Sequence, residues 1–379
     1  RTETVNNLTL NSSYADPNKH RISNITVNGT LDITKGIVGI NSGASATANT
    51  LSMSGGSRID MAANTDSTTL IIGSGGLTMS GATLRLGWDE LDSAETALVN
   101  LGGDFTGSGA NSITYRTLDA SRLLDLQNAT RTFNITDGVT TIAPTVRNGG
   151  ITKTGAGTLT LAGNNTFTGG VTIEGGTLSL ANAGALNSTT PNAISFGSNA
   201  DPKTLRIAGQ NVTVSGLTTG ATVGTSVVEN GEAGTATLTV NNAAANTFAG
   251  VLQDGAAGTL ALTKTGAGTL TLSGSTANTY TGLTTVSGGT LSLGKSASVN
   301  AVAGDIVVNG GTLLLSANHQ IANTSSITVN GSANFNPNDR TETVNNLTLN
   351  SSYADPNLHR ITNVTVNGTL DITKGIVGI

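Results

Sequence analysis

Three histidines, His20, His319 and His359, are the only imidazoles in the chain. Two of them stand in one recurring loop, Tyr-Ala-Asp-Pro-Asn followed by His, so that Asp16, Asn18 and His20 return as Asp355, Asn357 and His359. A carboxylate and an imidazole at that spacing suit metal ligation or acid/base work. Pro after Asp with Asn following is equally ordinary turn chemistry, and a solvent-facing turn is the reading adopted here. The segment Trp88-Asp89-Glu90-Leu91-Asp92-Ser93-Ala94-Glu95 sets four carboxylates beside the single tryptophan. Paired carboxylates with aromatics are what glycan cleavage needs. Only 11 aromatic side chains occur in 379 residues, however, which is a poor supply for a sugar-binding groove. Trp88, Asp89, Glu90 and Asp92 are therefore read as a lateral contact surface. The run Asn334 to Arg340, with Asn338 and Asp339, offers oxygens of the kind calcium takes, but it lacks the spacing of a calcium-binding loop and is read as a turn. No cofactor and no catalytic residue is expected.

The elements that must carry these residues follow from composition. The chain holds 50 Gly, 6 Pro and no Cys, with 11% charged residues. Thr, Ser, Asn and Gly are poor helix formers, whereas Thr interleaved with Leu, Val and Ile suits a pleated strand. The class is all-β. A net charge of −5 with scattered Lys and Arg supplies no basic stripe for nucleic acid. No apolar run reaches membrane-spanning length. The absence of cysteine removes disulfide staples and thiolate metal sites, and it suits a secreted bacterial protein. Arg1 to Thr4 are neither a start methionine nor a signal peptide, so the chain is expected to begin inside a longer polypeptide.

Internal repeats organise the rest. Residues 1–40 and 340–379 are identical at 37 of 40 positions, differing at Lys19/Leu358, Ser23/Thr362 and Ile25/Val364. The expected organisation is one complete unit over 1–339 and the start of the next unit over 340–379. Within the unit, irregular sequence over about 87–129 is expected to form an insertion containing a short amphipathic helix over Glu90 to Leu101. Short-repeat coils are expected over about 146–331. There, Thr152-Lys153-Thr154-Gly155-Ala156-Gly157-Thr158-Leu159-Thr160-Leu161 returns at Thr263 to Leu272. Each copy is followed by Asn-Thr-aromatic-Thr-Gly (Asn165 to Gly169, Asn278 to Gly282) and closes on Gly-Gly-Thr-Leu-Ser-Leu (Gly175 to Leu180, Gly288 to Leu293). Alternation in Thr-Leu-Thr-Leu buries one face and leaves hydroxyls on the other. A unit with so small an apolar face buries it only against its neighbours, which favours stacked coils over isolated hairpins.

Gly150 to Leu180 and Leu262 to Leu293 resemble the autotransporter-associated β-strand repeat of bacterial surface-protein passenger domains. That resemblance implies a right-handed parallel β-helix, or β-solenoid, outside the outer membrane of a bacterium. With about 20 to 25 residues per coil and about 4.8 Å between stacked strands, the chain would make a rod of roughly 70 to 90 Å. The expected function is a non-enzymatic structural subunit of an extracellular tandem-repeat fibre. The alternative is an adhesin displaying a surface to cells or glycans, and a polysaccharide-degrading enzyme is the third reading. Expected partners are further copies of the chain, covalently in tandem and laterally, together with a host or neighbouring cell surface or its glycans. No nucleic-acid partner and no membrane span are expected.

Overall fold

The computed structural model describes residues 3–11, 13, 15–16, 20–62, 66–87, 95–115, 122–221, 224–351 and 361–374. Every paired strand among them runs parallel to its neighbour, and no helix occurs among the described residues. The chain forms two compact units, Arg1–Asn192 and Ala193–Ile379.

In the first unit each turn of chain gives one strand to each of two sheets. Ile25–Lys35, Ser45–Met53, Thr68–Ser80, Arg122–Ile135 and Thr145–Thr154 belong to one sheet. Ile37–Ile40, Arg58–Met61, Thr83–Leu86, Ala110–Tyr115, Val139–Ile142 and Thr158–Leu161 belong to the other. The second unit repeats the scheme with a sheet containing Gly234–Asn241, Gly258–Thr265, Thr284–Val286 and Ile306–Val308. Its companion contains Thr269–Gly274, Thr290–Lys295 and Thr312–Leu315. Parallel strands joined by such short connections cannot be hairpins. The arrangement is a β-solenoid.

Register turns the sequence alternation into a core. Leu159 and Leu161 are fully buried and lie opposite Leu178 and Leu180 of the next turn, while Thr158 and Thr160 face outward opposite Thr177 and Ser179. Burying each such leucine contributes about 1.5–3 kcal/mol, realised only when the neighbouring turn is present. Phe105 stacks on Phe133 at 5.6 Å between ring centres in the same way. Coil length varies: Ile113 lies opposite Ile142, and Ile142 lies opposite Leu161. Part of the extra length is taken up as register shifts within the ladder, as between Asp125 and Ala129, after which pairing resumes at Ala129 opposite Gly149.

Two expectations are corrected. The helix over Glu90 to Leu101 is absent over its described part, because Ala97–Leu101 is a strand between Thr68–Ser80 and Arg122–Ile135. Its buried residues are Ala97, Val99 and Leu101, a period of two, with Leu98 turned outward. Correspondingly, 87–129 is not an irregular insertion where it is described. Phe105–Ser108, Ala110–Tyr115 and the start of Arg122–Ile135 lie in register with the strands on either side. Trp88, Asp89, Glu90 and Asp92 lie outside the described residues.

Candidate functional site

Solenoid corners expose backbone groups that the strand ladders cannot satisfy, and a buried polar group left without a partner is costly. The repeat motif answers this with interior polar side chains. Asn165, buried, accepts from the Val146 amide at 2.8 Å and donates to the Ala185 carbonyl at 2.8 Å. It thereby ties its own turn to the turns before and after it. Asn278 does the same in the second matching segment, accepting from Leu252 N at 2.9 Å and donating to Ala301 O at 2.8 Å. These are the asparagines of the two Asn-Thr-aromatic-Thr-Gly motifs.

The motif lysines also point inward. Lys153 is fully buried, and its Nζ donates to Thr154 O, Gly155 O and Gly175 O at 2.7, 2.9 and 3.0 Å. Lys264 donates to Thr265 O, to Gly266 O at 3.0 Å and to Gly288 O at 3.3 Å. Burial pushes the Lys153 ammonium down to about 8 and lowers that of Lys264 as well. Further along the second unit, Lys295 Nζ bonds Gly250 O at 3.0 Å and Ser273 O at 2.9 Å, and burial takes it down to about 8. The Lys295 amide donates to Gln320 Oε1 at 2.7 Å, and the Gln320 amide donates to Glu342 Oε2 at 2.6 Å. Lys295, Gln320 and Glu342 thus form a buried polar column, one residue per turn. Burial raises the Glu342 carboxyl, opposed by amide donors from Gln320, Thr343 and Ile321 and by His319. Burial likewise raises the Tyr280 hydroxyl, opposed by its 2.7 Å hydrogen bond to Thr284.

Charged groups outside the core form ladders between turns. Asp60, buried, receives Arg85 Nε and Nη2 at 2.9 and 2.8 Å and Arg58 Nη2 at 2.9 Å. Arg147 pairs with Asp125 at 2.8 Å and Arg206 with Glu229 at 2.7 Å. Arg58 and Asp60 share one strand, whereas the Arg85–Asp60, Arg147–Asp125 and Arg206–Glu229 pairs each join successive turns and serve cohesion of the stack.

Of the expected junction-turn residues, Asn18, Asp355 and His359 lie outside the described residues. Asp16 and His20 are half-buried, and the His20 carbonyl accepts from the Gly39 amide of the next turn at 2.7 Å. Asn338 and Asp339 adopt left-handed φ of 52° and 58° in an exposed turn closed by Asn338 N to Asn336 Oδ1 at 2.9 Å. Among the described residues, no group of three or more His, Asp or Glu side chains is placed to hold a metal. The inward lysines, Asn165, Asn278, Gln320 and Glu342 were not singled out from sequence. A signal for the lysines was present: Lys153 occupies the inward parity between Thr152 and Thr154, where an apolar residue belongs.

A parallel β-solenoid whose recurring Lys and Asn bind corner carbonyls and amides is the class of protein that these features define. Within that class, residues 151–180 and 262–293 match the passenger-associated-transport-repeat family. It is also 28% identical over 223 residues to the adhesin BmaC autotransporter of Brucella suis biovar 1 (strain 1330), a match covering 54% of this chain and 6% of that protein. The chain therefore spans a small fraction of the relative's length. No solved structure matches it.

Proposed function

We propose that the chain is a non-enzymatic stretch of an extracellular passenger on a bacterium with an outer membrane, built as tandem solenoid units that give a stalk or fibre its length. The observation that carries this reading is the repeated 40-residue segment seen in two settings. In its first copy Leu31 and Ile33 are buried under the turn at Ser45–Met53, while Val5 is exposed and Leu8 and Leu10 are half-buried. In its second copy Val344, Leu347 and Leu349 are fully buried beside the turn at Ile327–Gly331, and Leu370 and Ile372 are exposed. One sequence therefore fits a neighbouring turn on either side. That is the requirement for a unit repeated in tandem.

An adhesive role is the second reading, favoured by the similarity to a protein named an adhesin. The two readings are compatible, since a stalk also presents its outer faces. Antibodies raised against this chain test the placement. Labelling of intact cells that is lost after brief external proteolysis is expected. Labelling only after cell lysis would contradict the reading.

A further inference from the structure

The two matching segments share one local construction that their sequence alone does not explain. Each opens on Thr-Lys-Thr-Gly and closes on Gly-Gly-Thr-Leu-Ser-Leu, and the lysine touches both ends. Lys153 Nζ holds Thr154 O and Gly155 O of its own turn and Gly175 O, the first glycine of the closing pair. Lys264 Nζ holds Thr265 O, Gly266 O and Gly288 O, the same three positions in the other segment. Three N–H donors meet three carbonyls, the full donor complement of an ammonium. The second glycine of each pair shapes the floor of the cage. Gly176 and Gly289 have φ of 65° and 60°, and a Cβ on either would lie 2.4 Å from the carbonyl oxygen of Gly155 or Gly266, respectively. The neighbouring rung supplies an internal comparison. Val240 stands in register with Lys264, and there the buried Asn242 side chain donates to Ala244 O and Thr269 O at 2.6 and 2.8 Å. Where the lysine is missing, another donor closes the corner.

We propose that the lysine of each matching repeat is a clasp that closes one solenoid turn onto the next through a cage of three backbone carbonyls, and that the emptied cage takes a small primary amine in its place. The clasp makes the 30-odd residues of a repeat a self-closing unit, because every group of the cage lies within the matched segment. Lys153→Ala removes three methylenes and the ammonium, a volume matched by n-propylammonium.

The test uses the full chain with Lys153→Ala, read by hydrogen exchange of amides over 151–180. Exchange there should accelerate by roughly tenfold or more, since loss of the clasp opens the turn locally. Added n-propylammonium should slow it again, and tetramethylammonium at equal ionic strength, which has no N–H, should not. Lys153→Met keeps the aliphatic stem without donors and should exchange as fast as Lys153→Ala. Wild-type exchange in Lys153→Met, or equal effects of the two salts, would overturn the proposal. Acetylation of the unmodified chain gives a reading independent of any variant: Lys153 and Lys264 should resist under conditions that modify the exposed Lys35. Equal modification of all three would equally overturn the clasp.

Discussion

Glu3 and Glu342 occupy the same position of a repeated segment and live in opposite surroundings. Glu342 is fully buried, its carboxylate accepting from the amides of Gln320 at 2.6 Å, Ile321 at 3.2 Å and Thr343 at 3.0 Å. Glu3 is exposed. The difference is one neighbouring turn. Both glutamates pair with the turn that follows, Glu3 with Ile25 and Glu342 with Val364. Residues 319–321 also lie against Glu342, and among the described residues Glu3 has no counterpart of them. Glu342 is a cap for the corner of the turn before it.

Glu342→Ala leaves the Gln320 and Ile321 amides buried without acceptors, which costs about 1–3 kcal/mol. Glu3→Ala removes an exposed side chain and should change stability by less than about 0.5 kcal/mol. Denaturation midpoints of the two variants and hydrogen exchange at Gln320 and Ile321 separate these outcomes. Equal effects at the two positions would mean that the carboxylate does not cap the corner.

The buried lysines predict an alkaline signature. Lys153 and Lys295 are held at about 8 by burial, against an ordinary 10.5, and Lys264 is lowered in the same direction. Between about 8 and 10.5 the unfolded chain binds more protons than the folded one, so stability rises with pH across that window. Below it both states are protonated and these groups add no slope. Denaturant midpoints measured through the window should climb for the wild type and climb less for the Lys153→Met/Lys295→Met double variant. Identical slopes would refute the assignment.

Glycines with positive φ separate steric from conformational cost. Gly331 has φ 60° with nothing within 4 Å of an added Cβ, whereas Gly176 has φ 65° with Gly155 O 2.4 Å from such an atom. Gly331→Ala pays only the left-handed backbone term, about 1–2 kcal/mol. Gly176→Ala adds a clash with backbone oxygens and should cost about 1–3 kcal/mol more, as overpacking does. Thermal midpoints that fall equally would show that the closing glycine pair is not packed against the preceding turn.

Much of this architecture was legible because strand parity is a local property. Thr158-Leu159-Thr160-Leu161 names its own buried face, and the structure buries Leu159 and Leu161. Over Glu90 to Leu101 the spacing of Leu91, Leu98 and Leu101 suggests a helical face, whereas burial follows strand parity through the smaller Ala97 and Val99 to Leu101 and leaves Leu98 outward. Lysine is almost never fully buried without partners, so residue type argues against the inward parity that Lys153 and Lys264 occupy. Asn165 and Asn278 are visible as the first residues of a recurring motif, but their role depends on groups about twenty residues away in the adjoining turns. Glu342 was illegible for the same reason: its acceptors' partners, Gln320 and Ile321, belong to another turn.

Electron microscopy of the native protein sheared from cells tests the proposed tandem solenoid polymer most directly. The account predicts unbranched rods one solenoid wide with an axial repeat on the order of 70 Å, one 339-residue unit at about 4.8 Å per turn. Compact particles, or rods of a single unit's length without periodicity, would contradict it.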